Sequence, residues 1–85
     1  MATIWIMEGG SGKFAVFTEI PSRDLPQPLA VGYLPKNLRG EEYRKALLGF
    51  LERSLEKPRP TRAGMGGGSF FKYQIPDELL ARLQR

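Results

Sequence analysis

Thr3-Ile4-Trp5-Ile6-Met7-Glu8, then Gly9-Gly10-Ser11-Gly12, then Lys13-Phe14-Ala15-Val16-Phe17-Thr18-Glu19-Ile20 run in unbroken succession near the N terminus. The first and third pieces are rich in β-branched and aromatic residues, which strands favour. The middle piece is turn material. Two strands joined by so short a glycine-rich stretch read as a hairpin. With residues 9–12 as the loop, Glu8 faces Lys13 and Trp5 faces Val16. That register predicts one face carrying Trp5, Met7, Phe14 and Val16, and another carrying Ile4, Ile6, Ala15 and Phe17. Both faces are apolar, whereas a single antiparallel layer in water normally keeps one face polar. The sheet is therefore expected to be covered on both sides or to offer one face to a partner. Trp5, Met7, Phe14 and Val16 are the candidate partner or dimer face.

Outward from the hairpin, the proline-rich stretch 21–28 cannot be regular. Leu29 to Leu34 reads as a short third strand, broken by Pro35-Lys36-Asn37. Residues 40–56 form the clearest helix. Glu41 and Glu42 suit its positive N-terminal end, and Glu41 with Lys45 makes a favourable i,i+4 pair. Tyr43, Ala46, Leu47, Phe50, Leu51 and Leu55 form its apolar stripe, and Pro58 ends it. Residues 57–69 read as a basic loop rich in proline and glycine. Phe70 to Ile75 alternates as a fourth strand, with Phe71, Tyr73 and Ile75 on one face and Phe70, Lys72 and Gln74 on the other. Pro76 opens a short C-terminal helix, followed by Asp77 and Glu78 in its first turn. Leu79, Leu80 and Leu83 give that helix its inner side. The expected fold is α+β, in the order β-β-β-α-β-α. A small, largely antiparallel four-stranded sheet carries the main helix on one face, all in a single domain over residues 1–85.

The composition narrows the chemistry. The 85 residues contain neither cysteine nor histidine. A disulfide framework, a thiol nucleophile and a Cys- or His-ligated zinc are thereby excluded, as is a Ser-His-Asp triad. No cofactor is expected, and no metal site. No apolar run approaches the roughly 18 residues needed to span a bilayer. No targeting signal is legible at the N terminus, and a cytoplasmic setting is the expectation, with no membrane partner.

The formal net charge is +4, from 13 Lys and Arg against 9 Asp and Glu. Residues 57–75 hold Lys57, Arg59, Arg62 and Lys72 with no acid, so this one segment accounts for the surplus. Such a local excess predicts an anion-facing surface. Proline holds Lys57-Pro58-Arg59-Pro60-Thr61-Arg62 near polyproline II, which spaces the cations and lowers the ordering cost of binding. Lys57, Arg59, Arg62 and Lys72 are the candidate phosphate contacts. The Gly9–Lys13 run superficially matches a phosphate-binding loop but lacks its first glycine and its Ser/Thr, and a strand rather than a helix follows it. Gly12 to Phe17 has the basic-aromatic flavour of RNA-recognition strands, yet Phe14 and Phe17 fall on opposite faces.

Two resemblances accompany these readings. Phe71-Lys72-Tyr73-Gln74-Ile75-Pro76-Asp77-Glu78-Leu79-Leu80-Ala81-Arg82-Leu83 resembles the strand and first helix of ribbon-helix-helix DNA-binding proteins. The resemblance implies Phe70, Lys72 and Gln74 as groove-reading residues. The chain stops at Arg85, without that family's second helix. The order of elements over residues 1–75 is similar to that of HicB-type antitoxins, and implies a small domain that binds a protein partner.

The leading expectation is a non-enzymatic, nucleic-acid-binding or regulatory protein, acting on DNA or RNA and associating as a homodimer. The alternative is a protein-protein interaction module, such as an inhibitor, antitoxin-like factor or accessory subunit, that binds through an apolar sheet face. A small ribonuclease working through Lys, Arg and Tyr33, Tyr43 or Tyr73 is a third reading. An enzyme is not expected.

Overall fold

The computed structural model describes residues 1–20, 26–64 and 69–85. The glycines at 66–68 and most of the proline-rich connection fall outside these residues. Strands β1 (Ala2–Glu8), β2 (Lys13–Phe17) and β3 (Ala30–Tyr33) precede helix α1 (Gly40–Ser54), strand β4 (Ser69–Ile75) and helix α2 (Asp77–Leu83). The sheet order is β3-β2-β1-β4, with every neighbouring pair antiparallel. The fold is α+β, in the element order expected from the periodicities. β3 is shorter than its apolar run, but Leu29 N–H still donates to the Val16 carbonyl of β2 at 2.7 Å, and Leu34 N–H to the Gly12 carbonyl of the hairpin loop at 3.1 Å.

The hairpin register differs from expectation by one residue. Gly12 takes φ +86°, the left-handed region that glycine enters without penalty. It closes a three-residue loop over Gly10, Ser11 and Gly12, a common hairpin connection with glycine at its last position. Gly9 N–H donates to the Lys13 carbonyl at 2.8 Å. Trp5 therefore faces Phe17, and Glu8 faces Phe14, not Val16 and Lys13. A one-residue slip moves every side chain of a strand to the other face. The expected face of Trp5, Met7, Phe14 and Val16 is accordingly split. Phe14 and Val16 join Ile4 and Ile6 beneath the helices, while Trp5 and Met7 share the opposite face with Ala15 and Phe17.

The main core lies between the sheet and the two helices. Leu47 and Leu51 of α1, with Leu79 and Leu83 of α2, bury against Ile4, Ile6, Phe14, Val16, Ala30 and Ile75. Phe50 rests over β3, its ring 4.9 Å from that of Phe14 in a T-shaped contact. Gly32, opposite Phe14 in the ladder, makes room for it, since a Cβ there would meet the Phe50 ring at 2.2 Å. Leu55 and Glu56 turn with i→i−3 bonds to Glu52 and Arg53, so α1 tightens and ends at Ser54, two residues before the expected limit. Pro76 caps α2 from outside, with ψ 139°, and is not its first helical residue.

After α1 the chain crosses to the other side of the sheet. Ala63, 2% exposed, buries on Met7, Ala15 and Phe17. The crossing is tied down by Lys13 Nζ donating to the Gly64 carbonyl at 3.1 Å and Gln27 Nε2 to that of Pro60 at 3.1 Å. The second apolar face is thus covered from within the chain over its β2 half.

Candidate nucleic-acid interface

The β1–β4 half of that second face carries Thr3 and Trp5 from β1, with Phe70, Lys72 and Gln74 from β4. Cross-strand pairing sets Lys72 opposite Trp5 and Gln74 opposite Thr3. The Phe70 ring stands edge-on to Trp5 at 5.9 Å, and Lys72 Nζ lies 5.8 Å from the Trp5 ring centroid. Gln74 Nε2 donates to Thr3 Oγ1 at 3.2 Å. Trp5 is half-buried and Phe70 is 45% exposed. Phe70, Lys72 and Gln74 share this side, as their alternation requires.

The rest of the face adds to its positive character. Lys13 pairs with Tyr33 at the far edge, and Tyr33 is exposed. The strand positions on this side are occupied by Thr3, Trp5, Met7, Lys13, Ala15, Phe17, Val31, Tyr33, Phe70, Lys72 and Gln74, none of them acidic. Glu8 points the other way, where its Oε1 accepts from the Tyr43 hydroxyl at 3.0 Å.

Of the four cations singled out in the sequence, Lys72 stands on the sheet, while Lys57, Arg59 and Arg62 lie exposed on the crossing segment. Arg59 Nε donates to the Pro28 carbonyl at 3.3 Å, which holds its guanidinium against the body of the protein. Lys57 and Arg59 line a small hollow of about 60 Å³ with Arg82, Arg85, Leu29, Ser54, Leu55 and Leu83. Arg82 and Arg85 were not among the candidates from sequence, because more than twenty residues separate them from Lys57 and Arg59. Glu52 answers Arg82 at 3.6 Å. Cations here also face the negative ends of α1 and α2.

A second hollow, of about 250 Å³, lies between the hairpin turn and the start of α1, walled by Glu8, Gly9, Gly10, Gly12, Lys36 and Tyr43 among others. Burial first, and then the bond to Glu8, raise the Tyr43 phenol well above its ordinary value of 10.0. Tyr43 is therefore a fixed hydrogen-bond donor at neutral pH. Among the described residues no cluster of acids is arranged to hold a metal ion, and no helix is long and apolar enough to cross a membrane.

No family model, curated protein or solved structure matches this chain.

Proposed function

We propose that the chain binds single-stranded RNA or DNA on the β1–β4 half of its open sheet face, acting without catalysis as a small regulatory protein. The observation that carries this reading is Trp5, flanked by the Phe70 edge and the Lys72 ammonium on a face whose strand positions hold no acid. Single strands are held by aromatic rings that stack on bases and by cations that follow the backbone; stacking is worth about 1–3 kcal/mol per base. Trp5 and Phe70 supply rings, Gln74 and Thr3 supply polar groups for base edges, and Lys72 lies beside them for a phosphate. Lys57, Arg59 and Arg62 extend the positive surface along the crossing segment. The reading keeps the four cations expected from sequence and adds to them Trp5, expected on a partner face, and Phe70 and Gln74, implied by the ribbon-helix-helix resemblance. A regulatory role in the cytoplasm belongs to the same reading, and the resemblance of the element order to HicB-type antitoxins is compatible with it.

Trp5 is the chain's one tryptophan, so its fluorescence reports on this surface directly. Titration with a homopolymeric single strand is expected to quench it, with an affinity that falls steeply as salt rises. Phe70→Ala should weaken binding while leaving the fold intact. A protein partner on the same face is the competing reading, and association insensitive to salt would favour it. Absence of quenching at about 50 mM salt, where phosphate contacts are strong, would set the nucleic-acid reading aside.

A further inference from the structure

β4 closes one side of the sheet, and its outer edge is seven residues long, against four for β3 at the other side. Long apolar edges are normally blunted by proline, several charges or a covering loop, because their free N–H and C=O groups attract another strand. Lys72 is the one charge in β4, and proline is absent from it. Phe70 and Phe71 are 45% and 36% exposed.

The ladder shows which groups this edge offers. Gly9 bonds Lys13 across the hairpin. By alternation, Met7, Trp5 and Thr3 turn their backbone groups to β2, while Glu8, Ile6 and Ile4 turn theirs to β4. Their partners Ser69, Phe71 and Tyr73 therefore bond β1, and Phe70, Lys72 and Gln74 turn outward. The Gln74 carbonyl accepts from Arg44 Nη1 at 3.1 Å, in keeping with an outward direction. Phe70 and Lys72 remain as the open pair among the described residues. Beside them, on the helix side, an open groove of about 440 Å³ is lined by Leu38, Arg39, Gly40, Tyr43, Phe71 and Tyr73.

We infer that β4 pairs antiparallel with β4 of a second copy, about a two-fold axis through Phe71. In this register the outward groups of Phe70 meet those of Lys72 in the other copy, twice over, giving four backbone hydrogen bonds. Gln74 is not needed, so Arg44 keeps its place. Phe71 meets its own counterpart as a closely spaced, non-hydrogen-bonded pair, and each ring lies against the other copy's groove. A strand centred on Lys72 would instead set two ammonium groups face to face, which is repulsive, and would need the occupied Gln74 carbonyl. The chosen register sets each Lys72 beside a Phe70 ring, an attractive arrangement. The contact is self-complementary, as a closed two-fold interface requires. It leaves both helix layers on one side of a continuous eight-stranded sheet and both Trp5 surfaces on the other.

The absence of cysteine makes the register directly testable, without nucleic acid and so apart from the binding reading. Wild-type chain is expected to sediment as a dimer, and Lys72→Pro as a folded monomer, since that N–H faces outward and serves no bond to β1. Under mild oxidation Phe71→Cys should form a disulfide-linked dimer, because close-paired positions lie within the span of such a bond. Ser69→Cys and Tyr73→Cys should each stay unlinked alone and link when mixed. A wild-type monomer at the highest soluble concentration overturns the inference. So does a dimer in which Phe71→Cys fails to link, which would mean another surface or another register.

Discussion

Lys72 lies across the ladder from Trp5 and holds its ammonium 5.8 Å from the centre of that ring. The pair is half-exposed, so the attraction is worth only about 0.5–1 kcal/mol to the fold. Its larger significance is electrostatic, since it sets a cation beside an aromatic surface whose strand positions hold no acid. Lys72→Ala is expected to leave stability within about 1 kcal/mol of the parent. It should weaken single-strand binding and lower the salt slope by about one unit, one counterion fewer released. Fluorescence titration of Trp5 at several salt concentrations measures both. An unchanged slope would mean that Lys72 does not touch phosphate.

Gly12 bears on the register of the whole sheet. Its positive φ excludes an ordinary side chain, and a Cβ there would stand 2.9 Å from the Leu34 carbonyl oxygen. Gly12→Ala should therefore destabilise the domain by about 1–2 kcal/mol from the left-handed conformation alone, and by more if Leu34 cannot yield. Chemical denaturation monitored by Trp5 fluorescence gives the difference. A change of a few tenths would point to a loop of another shape, and with it the register that pairs Trp5 with Val16.

The contrast between Gly12 and Phe50 shows what was legible. Phe50, Leu47 and Leu51 repeat at helical spacing, so the stripe and the layer it covers follow from periodicity. Element order follows from the same patterns, because each strand and helix carries its own signal. Which residues of β2 share a face with β1 does not, since it turns on whether the loop has three residues or four. Ala63 was equally silent: a small residue in a loop has no periodicity to announce that it will cover Met7, Ala15 and Phe17. Lys57 and Arg59 were visible as a run, but Arg82 and Arg85 join them only because α1 and α2 end at the same corner of the fold.

Phe50 and Gly32 make a coupled pair. Phe50→Ala should cost about 3 kcal/mol, the low end for a buried aromatic, because the ring is only partly enclosed. Gly32→Ala should cost about 1–3 kcal/mol, since the new methyl group displaces the ring. Combined, the two should cost clearly less than the sum of the separate losses, because the methyl group clashes with nothing once the ring is gone. Strict additivity in the denaturation midpoints would show that Phe50 does not rest on Gly32.

Tyr43 supplies a pH signature. Its phenol is raised by burial and by the bond to Glu8, so the folded state favours the protonated form. A group raised on folding contributes its stability fully below the unfolded value, near 10, and loses it as pH climbs above that. Wild-type stability should hence fall above about pH 10 more steeply than that of Tyr43→Phe, which has no phenol to ionise. In ultraviolet titration, one of the three tyrosines should ionise only on unfolding. Ionisation of Tyr43 at its ordinary value in the folded protein would contradict the buried bond to Glu8.

The strongest test of the positive surface is Arg59 with Arg62. Both are exposed on the crossing segment, and Arg59 is braced on the Pro28 carbonyl. Replacing both by alanine should change stability little, by about 1 kcal/mol at most, since one surface hydrogen bond is lost and no core contact. If the two guanidinium groups lie along a phosphate backbone, binding should weaken alike for every sequence tested, and the salt slope should flatten by about two units. Phe70→Ala should differ in kind, lowering affinity with little change of slope, because stacking releases no counterion. The two variants thus separate the electrostatic and aromatic parts of the surface. Should Arg59→Ala/Arg62→Ala bind as the parent does at every salt concentration, the segment serves only to cover the sheet through Ala63. The interface would then reduce to Trp5, Phe70 and Lys72.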